Sequence, residues 1–336
     1  MKFGLRLIGY LGSSRDLVRF SKLAEDAGFD SVWFPHDTFM HNTWVLTTAA
    51  AEATSRIKIA TVGTNPFTTN PCEVATYAAT LDDLSDGRFI LSLGLHTEKM
   101  VEWTGIDASD YMGCTREAVE IVRALLRGET VDYSGKHFDW TEQCYMRMPI
   151  RRPDLPIYVS PFGRDFLELS GEIGDGSLPM ITPPEAANYM VTNIRRGIER
   201  AGRDASKFVI SGCAWLSLSE SRQQAADIMR KMVAYFGPYL EEPALNSIGL
   251  STSDMRPLAD MIASGNQEQA WKSVTPEMIR LGITGTPNDV IEQVELLAAA
   301  GVDEVSFGGP LGPDPEKAIA LMGEKVIPYF RNLHAK

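Results

Sequence analysis

The chain has 336 residues, of which 44% are hydrophobic and 23% are charged, as is typical of a soluble globular protein. Its net charge of −12 and the lack of a basic cluster argue against a nucleic-acid partner. No apolar run approaches the roughly 18 residues of a membrane span, so we expect no membrane partner either.

The four cysteines and the first residues of the chain bear on its location. The cysteines are widely spaced and form no C-x-x-C pair, which predicts reduced thiols. The opening MKFGLRLIGYLG has a short apolar run and no cleavage pattern, so it predicts a first strand instead of a signal peptide. We therefore expect a cytoplasmic protein.

The first third of the chain predicts strands and helices in strict alternation. Short apolar runs predict strands at residues 3–8, 31–34, 57–62 and 89–93. A capping-box pattern at Ser13 begins the first helix and Gly28 ends it. Further helices are predicted at residues 43–54 and 71–84, the second with Asn70 as its cap and Pro71 in its first turn.

The rest of the chain continues the alternation with two interruptions. Strands are predicted at residues 155–160, 176–180, 208–218 and 302–307, with helices near residues 115–127 and after each of these strands. Residues 131–148 predict a hairpin, and residues 241–282 predict an inserted, partly helical segment. Eight strands alternating with eight helices predict an α/β fold, a (β/α)8 TIM barrel forming one domain over residues 1–336.

The active site of such a barrel lies at the carboxyl ends of its strands. Candidate residues at those positions are Arg6, His36, Asp37, His41, residues 62–65, residues 94–96, residues 160–164, Met180 and residues 308–309. The clearest junction is residues 56–71 (RIKIATVGTNPFTTNP), where a buried strand runs into a Gly- and Asn-rich loop and then a helix. Ligands bind at such junctions in α/β folds.

Three candidate groups each have a structural and a functional interpretation. Residues 160–164 (SPFGR) could hold a phosphate on backbone N–H groups with help from Arg164, or could form an ordinary tight loop. His36 and Asp37 could be a proton-transfer pair, or a polar loop in which Asp37 caps a turn. Arg6 could form a salt bridge at the barrel mouth or bind an anionic substrate.

A metal site would combine His36 and Asp37 with His41 and His96. No H-x-x-x-H or H-E-x-x-H helix supports such a site, so we expect no metal. The chain also lacks the G-x-S-x-G, Walker A and G-x-G-x-x-G motifs, which argues against the hydrolases and nucleotide sites that carry them.

Four segments carry a resemblance that spans the chain: MKFGLRLIG, VGTNPFTTNPCEVATYAATLDDLSDGRF, LPIYVSPFGRDFLELSGEIGDGSL and GITGTPNDVIEQVELLAAAGVDEVSFGGPLGPD. They resemble the luciferase-like superfamily of flavin- and deazaflavin-dependent barrels. Within it, the likeness is to the methylenetetrahydromethanopterin reductases, which use the deazaflavin coenzyme F420.

The resemblance implies a cofactor site. It implies that Val62 and Gly63 form a bulge behind the flavin-type ring, often through a cis peptide bond, and that Thr64 and Asn65 contact the ring or its ribityl chain. The other implied cofactor contacts are Ser160, Phe162, Gly163 and Arg164 at the phosphate, Gly308 and Gly309 along the pocket wall, and His96.

The chain departs from the resemblance at two places near the reacting centre. His36-Asp37 stands in the reverse of the usual Asp-His order, and Arg6 stands where the reductase has an acidic residue. These departures leave two readings of the activity open. The first is hydride transfer between F420 and a small organic substrate, with His36 or Asp37 handling the proton and Arg6 and His41 contacting the substrate.

The second reading is an FMN-dependent two-component monooxygenase that receives reduced flavin from a separate reductase. A non-catalytic flavin-binding protein is disfavoured because His36, Asp37 and His96 are retained. Oligomers are common in the family, so we expect a homodimer.

Overall fold

Short apolar segments form the strands of the computed structural model, which describes residues 1–94, 98–180 and 183–333. The strands are β1 (Lys2–Arg6), β2 (Ser31–Pro35), β3 (Lys58–Val62), β4 (Phe89–Leu93), β5 (Val131–Ser134), β6 (Asp139–Cys144), β7 (Ile157–Val159), β8 (Gly176–Ser177), β9 (Val209–Leu218), β10 (Ile283–Gly285) and β11 (Glu304–Leu311).

Parallel pairing closes the sheet into a barrel. Its strands follow the order β1, β2, β3, β4, β7, β8, β9 and β11, and β11 pairs again with β1. Strand β10 pairs with the carboxyl end of β9 outside this cycle, and β5 and β6 form an antiparallel hairpin. The predicted TIM barrel and hairpin are therefore confirmed.

Helices cover the outside of the barrel. They are α1 (Ser14–Ala27), α2 (Thr43–Ala53), α3 (Pro71–Leu84), α4 (Glu98–Glu102), α5 (Tyr111–Leu126), α6 (Arg164–Ile173), α7 (Ala187–Arg200), α8 (Arg222–Phe236), α9 (Glu242–Asn246), α10 (Thr252–Ala263), α11 (Gln267–Ser273), α12 (Pro276–Ile279), α13 (Pro287–Ala300), α14 (Pro315–Leu321) and α15 (Ile327–Leu333). No helix in the described ranges is long and apolar enough to cross a membrane.

The predicted caps explain where several helices begin and end. Ser13 and Asp16 form the predicted capping box of α1, and Gly28 ends that helix with φ 86°. Asn70 caps α3 and Pro71 occupies its first turn, as predicted.

The structure differs from the predicted elements in three ways. The sixth barrel strand is only Gly176–Ser177, and a single bridge from Met180 to Cys213 continues it. Helix α4 and strand β10 were not predicted, because both are too short to show a periodic pattern. The final helix is interrupted by a π-helical turn at Met322–Val326.

Alternate residues of each strand pack on opposite sides of the barrel wall. Leu5, Val32 and Ile59 face the surrounding helices in the main hydrophobic core. Trp33 and Tyr158 face the barrel interior, with their ring centroids 5.8 Å apart. The interior is therefore filled below the carboxyl-terminal end of the barrel.

The inserted segment is helical and has its own apolar cluster. Helices α9–α12 contribute Leu245, Met255 and Ala270, which pack with Trp215 of β9 and Met229 of α8. The insertion is thus held on the carboxyl-terminal half of the barrel.

The segment TLDDLSDGR makes a buried polar junction between α3 and β4. Arg88 donates hydrogen bonds to the carbonyl oxygens of Ser85, Ile57 and Ala51, at distances of 2.8 to 3.0 Å. The carboxylate of Asp82, 1% exposed, accepts from the Arg152 Nε at 3.0 Å through each oxygen. This motif therefore ties three segments of the wall together.

We expect Asp82→Asn to lower the free energy of unfolding by about 3 kcal/mol, because it breaks a buried ion pair. Asp83, its neighbour, is 71% exposed and lies 3.7 Å from Arg151. Asp83→Asn is therefore the matched control, with a change within about 0.5 kcal/mol. Urea denaturation measures both variants, and equal losses would contradict this account of the junction.

Candidate active site

His36 joins the loops that follow β2 and β3. Its backbone N–H donates to the carbonyl oxygen of Val62 at 3.2 Å, which extends the strand pairing by one residue. Its ring Nδ1 accepts a hydrogen bond from the backbone N–H of Asn65 at 3.0 Å. Because Nδ1 is the acceptor, the neutral ring carries its proton on Nε2.

Burial keeps this ring neutral. It lowers the pKa of His36 from 6.5 to about 4, since the charged imidazolium would lose its hydration. At neutral pH the Nε2–H is therefore a hydrogen-bond donor, and neither ring nitrogen is free to accept a proton while the Asn65 bond is intact.

Asp37 follows His36 in the turn before α2. Burial raises the pKa of its carboxyl, and the nearby positive charge of Arg6 offsets part of that increase. The Asp37 carbonyl oxygen accepts from the Met40 N–H at 3.2 Å, so the residue's backbone also closes the turn. A carboxyl with a raised pKa is suited to proton transfer near neutral pH.

Asn65 lies buried at the end of the β3 loop. Its side-chain Oδ1 accepts from the Phe67 N–H at 2.8 Å, and its carbonyl oxygen accepts from the Thr69 N–H at 3.1 Å. Its Nδ2 is buried and has no hydrogen-bond partner among the described residues. A buried N–H donor without an acceptor destabilises the folded protein, and an acceptor that reaches the donor removes this penalty.

Gly63 and Thr64, which precede Asn65 in this loop, lie beside β4. The Thr64 N–H donates to the Ser92 carbonyl oxygen at 2.7 Å, and Thr64 Oγ1 donates to Thr61 Oγ1 at 3.0 Å. Gly63 has φ 64°, which favours glycine. The implied cis bond between Val62 and Gly63 is not found: in the described part of the chain, the cis bond is Gly309–Pro310.

The predicted phosphate loop begins at the carboxyl end of β7. Ser160 is buried, and its Oγ lies 2.7 Å from that of Ser92. Phe162 stacks on Tyr111 of α5 with a centroid distance of 4.7 Å. These contacts fix the loop on the barrel wall and on the helices outside it.

The N–H of Gly163, at the start of α6, already has an anionic partner. It donates to the Glu241 carboxylate at 2.5 Å, and Glu241 belongs to the segment that leads into the insertion. Arg164 is 62% exposed and pairs instead with Glu168 at 3.4 Å. The acidic group at the start of α6 is therefore the chain's own Glu241 carboxylate. Arg164 pairs elsewhere and does not contribute to this contact.

Two glycines of β11 accommodate the side chains of Arg6, at the end of β1, and Tyr10, in the loop that follows. A Cβ at Gly308 would lie 2.7 Å from Arg6 Nε, and a Cβ at Gly309 would lie 2.8 Å from the Tyr10 hydroxyl. Only the absence of side chains at these positions lets Arg6 and Tyr10 approach the strand. Burial raises the pKa of Tyr10 to about 12.

The structure says less about His41 and His96, the other two histidines predicted for the site. His41 is partly buried and lies against Gly9, where a Cβ would be 2.6 Å from its Nδ1. His96 lies outside the described residues. No group of three or more His, Cys, Asp or Glu side chains that could hold a metal ion is found among the residues that the structure describes.

The described candidates thus share the carboxyl-terminal end of the barrel, at the ends of strands β1, β2, β3, β4, β7, β8 and β11. Their individual roles stay predictions. Sequence reasoning missed Tyr10, Ser92 and Glu241. Tyr10 and Ser92 lie near the carboxyl ends of strands and could have been included by position, whereas nothing in the sequence connects Glu241 to Gly163.

Known proteins resemble this chain over almost its whole length. A reductase of Archaeoglobus fulgidus named 5,10-methylenetetrahydromethanopterin reductase is 32% identical over 336 residues, covering 98% of this chain and 100% of the relative. An F420-dependent glucose-6-phosphate dehydrogenase of Amycolatopsis mediterranei is 25% identical, covering 97% and 99%.

A solved structure, the coenzyme F420 dependent tetrahydromethanopterin reductase of Methanopyrus kandleri, matches with a TM-score of 0.92 and 29% identity, covering 98% of this chain and 99% of that one. These named relatives are oxidoreductases, in agreement with the predicted enzyme class. The family model described as luciferase-like monooxygenase matches residues 4–304. The chain therefore belongs to the luciferase-like monooxygenase family, as its resemblance predicted.

Proposed function

We propose that this protein is an oxidoreductase that uses the deazaflavin coenzyme F420 for hydride transfer to or from a small organic substrate. The observation that carries the proposal is the β3 loop, where the buried Nδ2 donor of Asn65 has no acceptor among the described residues and lies near the positive-φ Gly63. Relatives whose names include F420 match almost the whole chain, which supports this cofactor over FMN.

The described residues fit such a cofactor. Val62, Gly63, Thr64 and Asn65 would support the ring, because the loop is held against β4 and presents one free donor to the carbonyl oxygens that a deazaflavin carries. The bound deazaflavin supplies or accepts the hydride. The protein's task is to hold the substrate carbon beside it, exclude water and handle the proton.

His36 and Asp37 have different roles in this proposal. His36 serves as a hydrogen-bond donor through Nε2–H, since Asn65 occupies its Nδ1. Asp37, whose pKa burial raises, serves as the acid for substrate reduction and as the base in the reverse direction. The sequence left open whether His36 or Asp37 handles the proton, and this assignment selects Asp37.

We also propose three properties of the whole molecule. One domain is supported by the packing of the insertion against Trp215 and Met229. A homodimer is supported by exposed apolar side chains on α2 and α3, Val45 and Tyr77 among them. A cytoplasmic location is supported by four cysteines that are all free thiols.

A binding titration tests the cofactor. We expect F420 to bind the purified protein more tightly than FMN or reduced FMN, as followed by cofactor fluorescence. Asn65→Asp keeps the acceptor for Phe67 but removes the free donor, so we expect about tenfold weaker F420 binding. Asn70→Asp, at the cap of α3, is the matched control and leaves binding unchanged.

Preferential binding of reduced FMN would overturn the proposal. It would point instead to the two-component monooxygenase with its separate flavin reductase. Equal weakening in the two asparagine variants would remove Asn65 from the cofactor site.

Asp37→Asn tests the proton role. We expect kcat for substrate reduction to fall by about 100-fold or more while F420 binding is retained. In the unmodified enzyme the rate falls as pH rises through the pKa of Asp37, and burial places that decline above the ordinary carboxyl range. Asp154→Asn, at an exposed position on the other end of the barrel, is the control. If the Asp37→Asn variant keeps the pH profile of the unmodified enzyme, Asp37 is not the group that transfers the proton.

The state of His36 can be measured without turnover. In ¹⁵N-histidine-labelled protein, long-range ¹H–¹⁵N NMR should show the Nε2–H tautomer at pH 7 and a titration near pH 4. Because the unfolded chain takes up this proton near pH 6.5, His36 reduces stability progressively as pH falls from about 6.5 to about 4. A ring that titrates near 6.5 contradicts the buried neutral state.

A further inference from the structure

Arg6 is a cation at the barrel mouth, and none of the described residues gives it a carboxylate partner. No Asp or Glu oxygen lies within 4.0 Å of its guanidinium in the described part of the chain, and its buried Nε has no hydrogen-bond partner there. Asp37 senses the charge of Arg6 but lies beyond ion-pair distance. The structural interpretation of Arg6, a salt bridge at the mouth, is therefore not supported.

The guanidinium of Arg6 lies in a space beside β11 that only a glycine leaves open. Gly308 leaves the space that Arg6 occupies, since a Cβ there would lie 2.7 Å from Nε and 2.9 Å from Cζ. The thiol of Cys213 also contacts the group: burial raises the pKa of Cys213, while the charge and hydrogen bond of Arg6 offset part of that rise. A thiol is a weak acceptor and does not satisfy a guanidinium, which has five N–H donors.

Arg6 lies across the barrel from the predicted phosphate loop. Strand β1 and strand β7, which precedes Ser160, are four strands apart in the closed order β1, β2, β3, β4, β7, β8, β9, β11. In a barrel of eight strands these positions face each other. Arg6 is therefore separate from the loop at Gly163 and stands on the wall next to His36 and Asp37.

We propose that Arg6 is the anion subsite of the substrate: the molecule that is reduced or oxidised carries a carboxylate or phosphate group, which binds the guanidinium at the β1 wall. The inference rests on the proposed function and specifies its substrate class. A planar guanidinium binds either oxyanion through two parallel hydrogen bonds, so it fixes orientation as well as position.

This placement sets the direction of the substrate. With its anionic group at Arg6, the reacting carbon lies toward the β2 and β3 loops, within the region of Asp37 and the His36 Nε2–H. In reduction, a hydride from reduced F420 would form a C–H bond at that carbon as the π bond of a C=O or C=N group breaks, and the electron pair left on oxygen or nitrogen would take the proton from Asp37. Oxidation reverses both transfers, so atoms and electrons balance with F420 as the redox partner.

Binding of small anions tests the proposal without turnover. Calorimetry on the F420-loaded protein compares acetate and inorganic phosphate with acetamide, a neutral analogue of acetate. We expect at least one anion to bind at least tenfold more tightly than acetamide. Tighter binding of acetate identifies a carboxylate substrate, and tighter binding of phosphate identifies a phosphorylated one.

Variants assign this preference to Arg6. Arg6→Gln should abolish the anion preference, and Arg6→Lys should retain part of it because the charge remains without the planar fork. Arg56→Gln is the matched control, because Arg56 is 70% exposed and precedes β3 at the opposite end of the barrel. It should leave anion binding unchanged.

Three results would overturn the inference: no preference for anions in the unmodified protein, the same preference in Arg6→Gln, or a loss of F420 affinity in Arg6→Gln that assigns Arg6 to the cofactor. Failure of the proposed function looks different, since the unmodified protein would then not bind F420. The comparison of acetate with acetamide needs no variant, so it tests the inference even if Arg6→Gln does not fold.

Discussion

Closure of the sheet by β1 and β11 is the constraint on which the site depends. Their pairing sets Gly4 opposite Ser306 and Leu5 opposite Phe307, so the side chains that follow meet Gly308 and Gly309. Any larger residue there would push Arg6 and Tyr10 away from the wall. The same closed order places β2 and β3 beside β1, so that one end of the barrel gathers a cation, a carboxyl and a neutral imidazole.

Much of this architecture could be predicted because it depends on local patterns. The apolar runs of the strands, the Ser13 capping box and the Asn70–Pro71 helix start are properties of a few neighbouring residues. Parallel strands then bring their carboxyl ends to one face, so the location of the candidate site followed from the strand order alone. The family resemblance added the expected cofactor, which periodicity could not supply.

The remaining features depend on contacts between distant segments. The tautomer of His36 is set by a backbone N–H 29 residues later, and the lone donor of Asn65 is recognised only once its surroundings are known. Likewise, the sequence could not decide between a paired and an unpaired Arg6. Short elements such as α4 and β10 also escaped prediction, because so few residues carry no periodic signal.

The contact between Gly163 and Glu241 joins the predicted phosphate loop to the start of the inserted segment. A helix start presents few unpaired N–H groups, and one of them here is held by a carboxylate 78 residues away along the chain. Burial raises the pKa of Glu241, so this acid is itself poorly hydrated in its position. A phosphate and this carboxylate cannot share one N–H, because two anions at that distance repel each other. A phosphate bound at this N–H would therefore have to displace the Glu241 carboxylate, and the insertion would lose that contact with the loop.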